Sequence, residues 1–327
     1  MFDPVPEGLG AFFDGPSGSR PSLFWQFVRT PVIAIARLLY SLLPTAYKLP
    51  PLSVSARPVS VCCISDTHNC QPALPYADIL VHAGNLTKAG TYEELQSALR
   101  WLNSQPHPYK FAVGGSRDIL LALNDPIRAH AHHISPRAAF MEYNLLNWGN
   151  VIYLATLDGV TVIIDGRPIR IHGRPHSINH LDTHDYAFHY LREHGPRMWK
   201  NSWVPEGLEI LVTHGAPMAH LDGVPGYGCA GLTAHLWGIR PKLHVFGHEH
   251  DGYGMEILTY NPLQRAYEKA VASGGGIWRL LVVIWEFIGQ LTWGRNVLWG
   301  PKTVLVNASH VGGVRDEERR MPIRVYI

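Results

Sequence analysis

Residues 240–254 read R-P-K-L-H-V-F-G-H-E-H-D-G-Y-G. The stretch 243–246 is short and apolar at alternate positions, as expected of a buried strand. Gly247 follows and permits a sharp backbone turn. Just beyond it stand two imidazoles, His248 and His250, one residue apart. Side chains at i and i+2 of an extended segment share a face, so the pair is expected to converge on one point. The same pattern recurs twice: residues 59–65 (V-S-V-C-C-I-S) run into Asp66 and His68 in S-D-T-H, and residues 208–213 run into His214 in V-T-H-G. A single D-x-H or H-x-H at a strand end is a weak metal signal, whereas three in compatible order are a much stronger one.

Working outward, residues 78–82 and 109–113 read as further strands. Residues 91–104 carry Leu95, Leu99 and Leu102 at helical spacing. This alternation of strand and helix argues for a layered α/β fold. After a helical stretch near 138–148, residues 151–154, 160–165 and 168–172 predict three short strands in an antiparallel meander. Residues 303–307 and 323–327 supply closing strands. Residues 262–300 predict helix with a Gly-rich break at 273–276. Two sheets face to face with helices outside is the expected assembly.

The 327 residues are 46% hydrophobic and 17% charged, an ordinary globular composition, with a formal net charge of +2. No Lys/Arg run predicts a nucleic-acid partner. Nineteen His justify a search for metal ligands. Cys62, Cys63, Cys70 and Cys229 form no C-x-x-C pair, so reduced thiols and an intracellular setting are expected. The first twenty residues lack a basic start followed by an apolar core, so no secretory signal is expected. Residues 1–22 are Gly/Pro/Ser-rich and read as a loose segment, 23–50 as an apolar helical segment, and 51–327 as one domain with a helical insertion at about 262–300. The apolar stretches 23–43 and 277–299 are interrupted by Arg29, Pro31 and Arg37, and by Arg279, Glu286 and Arg295. They read as amphipathic helices packed on the domain. The rival reading is a Trp-rich surface that touches membrane or an apolar substrate.

The motifs S-D-T-H (65–68), H-A-G-N-L-T (82–87), G-G-S-R-D (114–118), T-H-G-A-P (213–217) and F-G-H-E-H (246–250) occur in one order. In that order the chain resembles the calcineurin-like metallophosphoesterases, and the 240–254 phrase resembles their branch of metallophosphoesterase-domain-containing proteins and its fungal relatives. The likeness covers about residues 59–260 and extends to V-L-V-N-A-S at 304–309. It implies a four-layer α/β/β/α sandwich of two mixed sheets, with two metal ions sharing a bridging aspartate. By resemblance, Asp66, His68 and His250 hold the first ion, and His214 and His248 the second. The bridging aspartate falls on Asn85, the asparagine ligand on Ser116, and the histidine that assists the leaving group on Arg117.

Those three departures have a direct electrostatic reading. A carboxylate offers two anionic oxygens, whereas Asn85 offers one neutral carbonyl oxygen and an NH2 that would face any second cation. Two dications about 3.5–4 Å apart repel strongly. One divalent cation per chain (Mn, Fe, Zn or Ni) is therefore expected at Asp66, His68 and His250. Asn85, His214 and His248 complete its sphere or contact substrate. The candidate catalytic residues are Asp66, His68, Asn85, Arg117 and His214, and the candidate pocket residues are Ser116, Arg117, Arg174, His176 and Tyr253. Arg117 either clamps an anionic group or pairs with Asp118. Cys70 reads as a packed loop thiol. His172 belongs with Arg174 and His176 as a pocket-shaping segment or a surface loop. His180, His184 and His189 read as pocket wall or surface, and His130, His132 and His133 as a solvated turn. The function expected from the resemblance is weak or altered phosphoester hydrolysis on a small-molecule substrate. The alternatives are a lyase, cyclase or non-phosphate hydrolase acting on a hydrophobic small molecule, and a binding protein without catalysis. The oligomeric state is left open.

Overall fold

The β-branched runs become short central strands, and the amphipathic stretches become the helices that cover them. The computed structural model describes residues 30–42, 57–122, 135–154, 159–180, 186–200, 204, 207–223, 226–293, 301–313 and 316–327. In chain order the elements are α1 (Pro31–Leu42), β1 (Ser60–Ile64), β2 (Ile79–His82), α2 (Tyr92–Ser104), β3 (Tyr109–Ala112), α3 (Ile119–Ala122), α4 (Pro136–Leu145), β4 (Val151–Tyr153), β5 (Val160–Ile164) and β6 (Arg167–Arg174). Then come β7 (Ser177–Ile178), β8 (His189–Tyr190), α5 (Gly195–Lys200), β9 (Ile210–Thr213), α6 (Ala230–Ile239), β10 (Leu243–Phe246), β11 (Gly254–Leu258), α7 (Pro262–Ala272), α8 (Ile277–Trp293), β12 (Thr303–Asn307), β13 (Val311–Gly312), β14 (Glu318–Arg319) and β15 (Ile323–Tyr326).

Two mixed sheets organise these elements. One runs β15-β1-β2-β3-β4 and the other β11-β12-β10-β9-β6-β5. β1, β2, β3 and β4 are parallel neighbours, and β15 closes the edge antiparallel to β1. The expected antiparallel meander is not formed. β4 joins the first sheet beside β3, and only β5 and β6 form an antiparallel hairpin, in the second sheet. Short apolar strands look alike whichever sheet they join, so the sequence pattern does not separate them.

One apolar cluster takes alternate residues of both sheets: Val61, Cys63, Ile79, Val81 and Phe111 from the first, Ile171, Ile210, Val212, Val245 and Val306 from the second. The opposite residues of the first sheet, Cys62, Ile64 and Leu80, pack with Leu95, Leu99 and Leu102 of α2. Leu211, Phe246 and Leu305 of the second sheet pack with Trp199 of α5 and with Leu232 and Leu236 of α6. This arrangement is compatible with a sandwich. Thr91 caps α2 by accepting from Glu94 N–H at 3.3 Å.

α1, α7 and α8 pack on one another through Ile33, Ala36, Leu263, Ala270, Leu280 and Val283. The outer side of α8 leaves Ile277, Trp278, Leu281 and Leu291 exposed. Among the described residues no helix is long and apolar enough to cross a membrane. Residues 1–22, the rest of 23–50 apart from 30–42, and 294–300 lie outside the described residues, as do His130, His132, His133 and His184. The four cysteines carry free thiols.

Candidate metal centre

The site forms where β1, β2, β9, β10 and β12 run out into loops. Asp66 lies at the crossing of those loops and is fully buried. Its backbone N–H donates to Gly84 O at 2.9 Å, and its carbonyl accepts from Val311 N–H at 3.2 Å. His68 N–H donates to Asn85 O at 3.2 Å, which laces the first two loops together. Strand alternation is not what makes the ligands converge. Asp66 and His68 lie beyond β1, and both hold left-handed backbone, with φ of 51° and 43°. Asn85 and His248 do the same, with φ of 55° and 66°. Such conformations cost non-glycine residues on the order of 1–2 kcal/mol each, and they concentrate at functional sites. Gly84 (φ 99°) and Gly247 allow the close approach. A Cβ at Gly247 would collide with the Asp66 carboxylate and the Ser65 hydroxyl.

The Asp66 carboxylate is held on both oxygens. Oδ2 accepts from His248 N–H and from Ser309 Oγ–H, each at 3.0 Å, and Oδ1 accepts from Asn85 Nδ2 at 2.9 Å. His250 Nε2 lies 3.5 Å from Oδ1. Burial pushes the Asp66 carboxyl upward, but the hydrogen bond and charge of His250 outweigh it and hold the group well below the usual carboxylate range. Burial lowers His250, but its contact with Asp66, and then the charges of Asp316 and Glu249, raise it above its ordinary value. His68 is lowered, mainly by burial.

His68 supplies the observation that tests a metal. Its Nδ1–H donates to Asp316 Oδ2 at 2.7 Å, which fixes the tautomer and leaves Nε2 as the lone-pair atom. Buried Nε2 has no hydrogen-bond partner among the described residues. One ligand atom from each of Asp66, His68 and His250 lies within 4.8 Å of the others. One carboxylate and two imidazoles suit a divalent transition metal or zinc, so the residues present fit the ion that the motifs imply.

The second-metal side is built differently from the expectation. The Asn85 NH2 donates to Asp66 Oδ1 at 2.9 Å. The Asn85 Oδ1 accepts from Arg117 N–H at 2.8 Å and from Ser116 Oγ–H at 3.3 Å. Both ends of the amide are thus engaged. Arg117 does not pair with Asp118 either. The buried Asp118 carboxylate accepts from the N–H groups of Leu86, Thr87 and Gly115 and from the Thr87 hydroxyl, and so staples the two loops. Arg117 is half-buried; burial raises Asp316, but His68, then His250 and last the Arg117 charge lower it. His214 donates Nδ1–H to Ala83 O at 2.9 Å and places Nε2 3.5 Å from Ser116 Oγ. Burial lowers His214 to about 4 and His248 to about 3, so both rings are neutral.

The remaining candidates scatter. Arg174 shares a face of β6 with His172, and its charge acts on His172 and His235. His176 lies edge-on to Phe188 at 6.0 Å. The Tyr253 hydroxyl donates to Met321 O at 2.7 Å. Cys70 lines a separate cleft with Glu93, Glu94 and Ser97. His180 and His189 stand beside the His248 ring, at 6.0 and 5.7 Å between centroids. Sequence reasoning missed Ser309, Asp316 and Asp118. Ser309 ends the V-L-V-N-A-S run, a signal open to use, whereas nothing local marks Asp316, 248 residues from its partner His68.

Mixed sheets, left-handed strand-end loops and an Asp/His/His group define an α/β protein with a candidate metal centre. No protein-family model matches the chain. Curated relatives do. The chain is 38% identical over 316 residues to the probable rhamnogalacturonate lyase C of Emericella nidulans, a match spanning 94% of this chain and 28% of that protein. It is 32% identical over 208 residues to metallophosphoesterase domain-containing protein 1 of Homo sapiens, spanning 59% of this chain and 61% of the relative. A UPF0046 protein of Caenorhabditis elegans is 32% identical over 211 residues, 60% of this chain and 65% of its own length. The chain therefore spans less than two thirds of each of these relatives. The human relative is named for a metallophosphoesterase domain, and the described residues of this chain hold an Asp/His/His group able to bind a metal ion.

Proposed function

We propose that the protein is a metal-dependent phosphoester hydrolase on the four-layer metallophosphoesterase sandwich, with a mononuclear centre and a small-molecule phosphoester as substrate. One observation carries this: His68 Nε2 is buried and unpaired beside Asp66 and His250, while both ends of the Asn85 amide are already bonded. Asp66, His68 and His250 hold the cation, and Asp316 orients His68. The cation supplies Lewis acidity toward a phosphoryl oxygen. Arg117 presents a permanent cation for an anionic substrate group. His214, neutral and fixed by its Nδ1–H bond to Ala83 O, presents Nε2 as a ligand-type atom beside Ser116. Ser309 and the His248 N–H keep the Asp66 carboxylate oriented.

The test is turnover of an aryl phosphodiester with added Mn2+. Wild type is expected to turn over slowly, and Asn85→Asp/Ser116→Asn/Arg117→His faster. A folded triple variant with no gain contradicts the assignment of those positions. A second reading, lyase chemistry, draws support from the name of the Emericella nidulans relative, 38% identical over nearly the whole of this chain. That match spans 28% of the relative, and the reading predicts an unsaturated, ultraviolet-absorbing product from rhamnogalacturonate, where the hydrolase reading predicts none.

A further inference from the structure

One group of ligand-type side chains has no part in the chemistry proposed above. His180 follows β7, and His248 and Glu249 form the turn after β10. His180 Nε2 lies 2.8 Å from Glu249 Oε1, and His248 Nε2 lies 4.0 Å from the same oxygen. One ligand atom from each of the three lies within 4.8 Å of the others. Ligand atoms placed about 2.0–2.2 Å from a tetrahedral cation are about 3–4 Å apart, close to the spacing seen here.

The group is held in place from several directions. Asn307 Nδ2 donates to the Glu249 carbonyl at 2.8 Å, and Gly252 N–H donates to it at 2.9 Å. Glu249 N–H donates to Gly247 O at 2.8 Å. The His180 ring lies between Tyr227, at 4.8 Å, and His248, at 6.0 Å. His180 is an exposed residue, whereas the His248 and Glu249 side chains are only 16% and 13% exposed, so the group is reachable by an ion from solvent. An ion pair between His180 and Glu249 alone would need neither the third imidazole nor its approach.

We propose that His180, His248 and Glu249 form a second cation site, separate from Asp66, for a zinc-like divalent ion that favours mixed nitrogen and oxygen ligands. The two sites share no ligand side chain, so a second ion there needs no bridging carboxylate at residue 85. His248, which the resemblance assigns to the position across Asn85, is used instead on the Glu249 side. This goes beyond the mononuclear centre and is tested separately from it.

The experiment is equilibrium dialysis of the full chain, stripped with a chelator and titrated with Zn2+, with Co2+ absorption as the readout of ligand type. Wild type is expected to bind two equivalents. His180→Ala and Glu249→Gln are each expected to bind one, with the folded circular-dichroism spectrum intact. Asp66→Asn is also expected to keep one equivalent, with a Co2+ spectrum different from that of Glu249→Gln. If His180→Ala and Glu249→Gln both keep the wild-type count, the second site is overturned. If wild type binds a single equivalent that Glu249→Gln removes and Asp66→Asn retains, the second site stands and the Asp66 centre falls.

Discussion

Asn85→Asp reverses the substitution on which the mononuclear account rests, and its effect is calculable without an activity assay. Asn85 Nδ2 lies 2.9 Å from Asp66 Oδ1, and both side chains are buried. An aspartate there would place two carboxylates in contact. Two full charges at that distance repel by about 6 kcal/mol at an effective dielectric of about 20. Retaining one proton is cheaper. Holding a carboxyl of ordinary pKa near 4 protonated at pH 7 costs about 4 kcal/mol, and at pH 5 about 1 kcal/mol. The folded pKa is raised above the unfolded one, so the penalty is absent below about pH 4 and grows as pH rises. Urea denaturation in chelator should therefore show the variant close to wild type at pH 5 and about 4 kcal/mol weaker at pH 7. Added Mn2+ should close much of that gap, because a cation neutralises the pair. Equal stability at pH 7 in chelator would refute the proposed contact between residues 85 and 66.

Other outcomes follow from particular contacts. Asp316→Asn removes the acceptor that orients His68 and should weaken Mn2+ binding about 10–100-fold in a calorimetric titration, while His68→Ala abolishes it. Gly247→Ala forces a methyl against the Asp66 carboxylate and should lose Mn2+ binding while keeping a folded spectrum. His220 lies between Glu256 and Glu268, at 2.6 and 3.0 Å; burial opposes its charge, but the two carboxylates raise it to about 10. Its stabilising contribution should be complete below about pH 6.5 and fall as pH climbs toward 10. His220→Leu should cost about 3–5 kcal/mol at neutral pH in chemical denaturation, because it removes the cation between two carboxylates, although Glu268 keeps its bonds from Trp237 and Gln264.

Much of the fold was legible because the strands are short apolar runs ending in ligand-type residues. Residues 243–246 and 303–307 form strands at the bounds the pattern predicts, and the Gly-rich break at 273–276 separates α7 from α8. Sheet membership was not legible. β4 and β5 are neighbours in the chain, yet they enter different sheets, a choice made by long-range packing that local pattern does not encode. The Asp66, His68 and His250 group was readable from spacing and resemblance, though for a partly mistaken geometric reason: left-handed turns after the strands, not alternation within them, bring these residues together. The Asn85 amide orientation depends on Arg117 N–H and Asp66 at once, a competition visible only in three dimensions. Asp316 was invisible as a site residue because an acidic side chain in a loop reads the same whether it faces water or an imidazole.

The most direct measurement is an anomalous difference map from crystals grown with Mn2+. A peak ligated by Asp66, His68 and His250, with no partner ion bridged to it through Asn85, is the predicted result. Two occupied ions flanking Asn85, or density nowhere near Asp66, would contradict it.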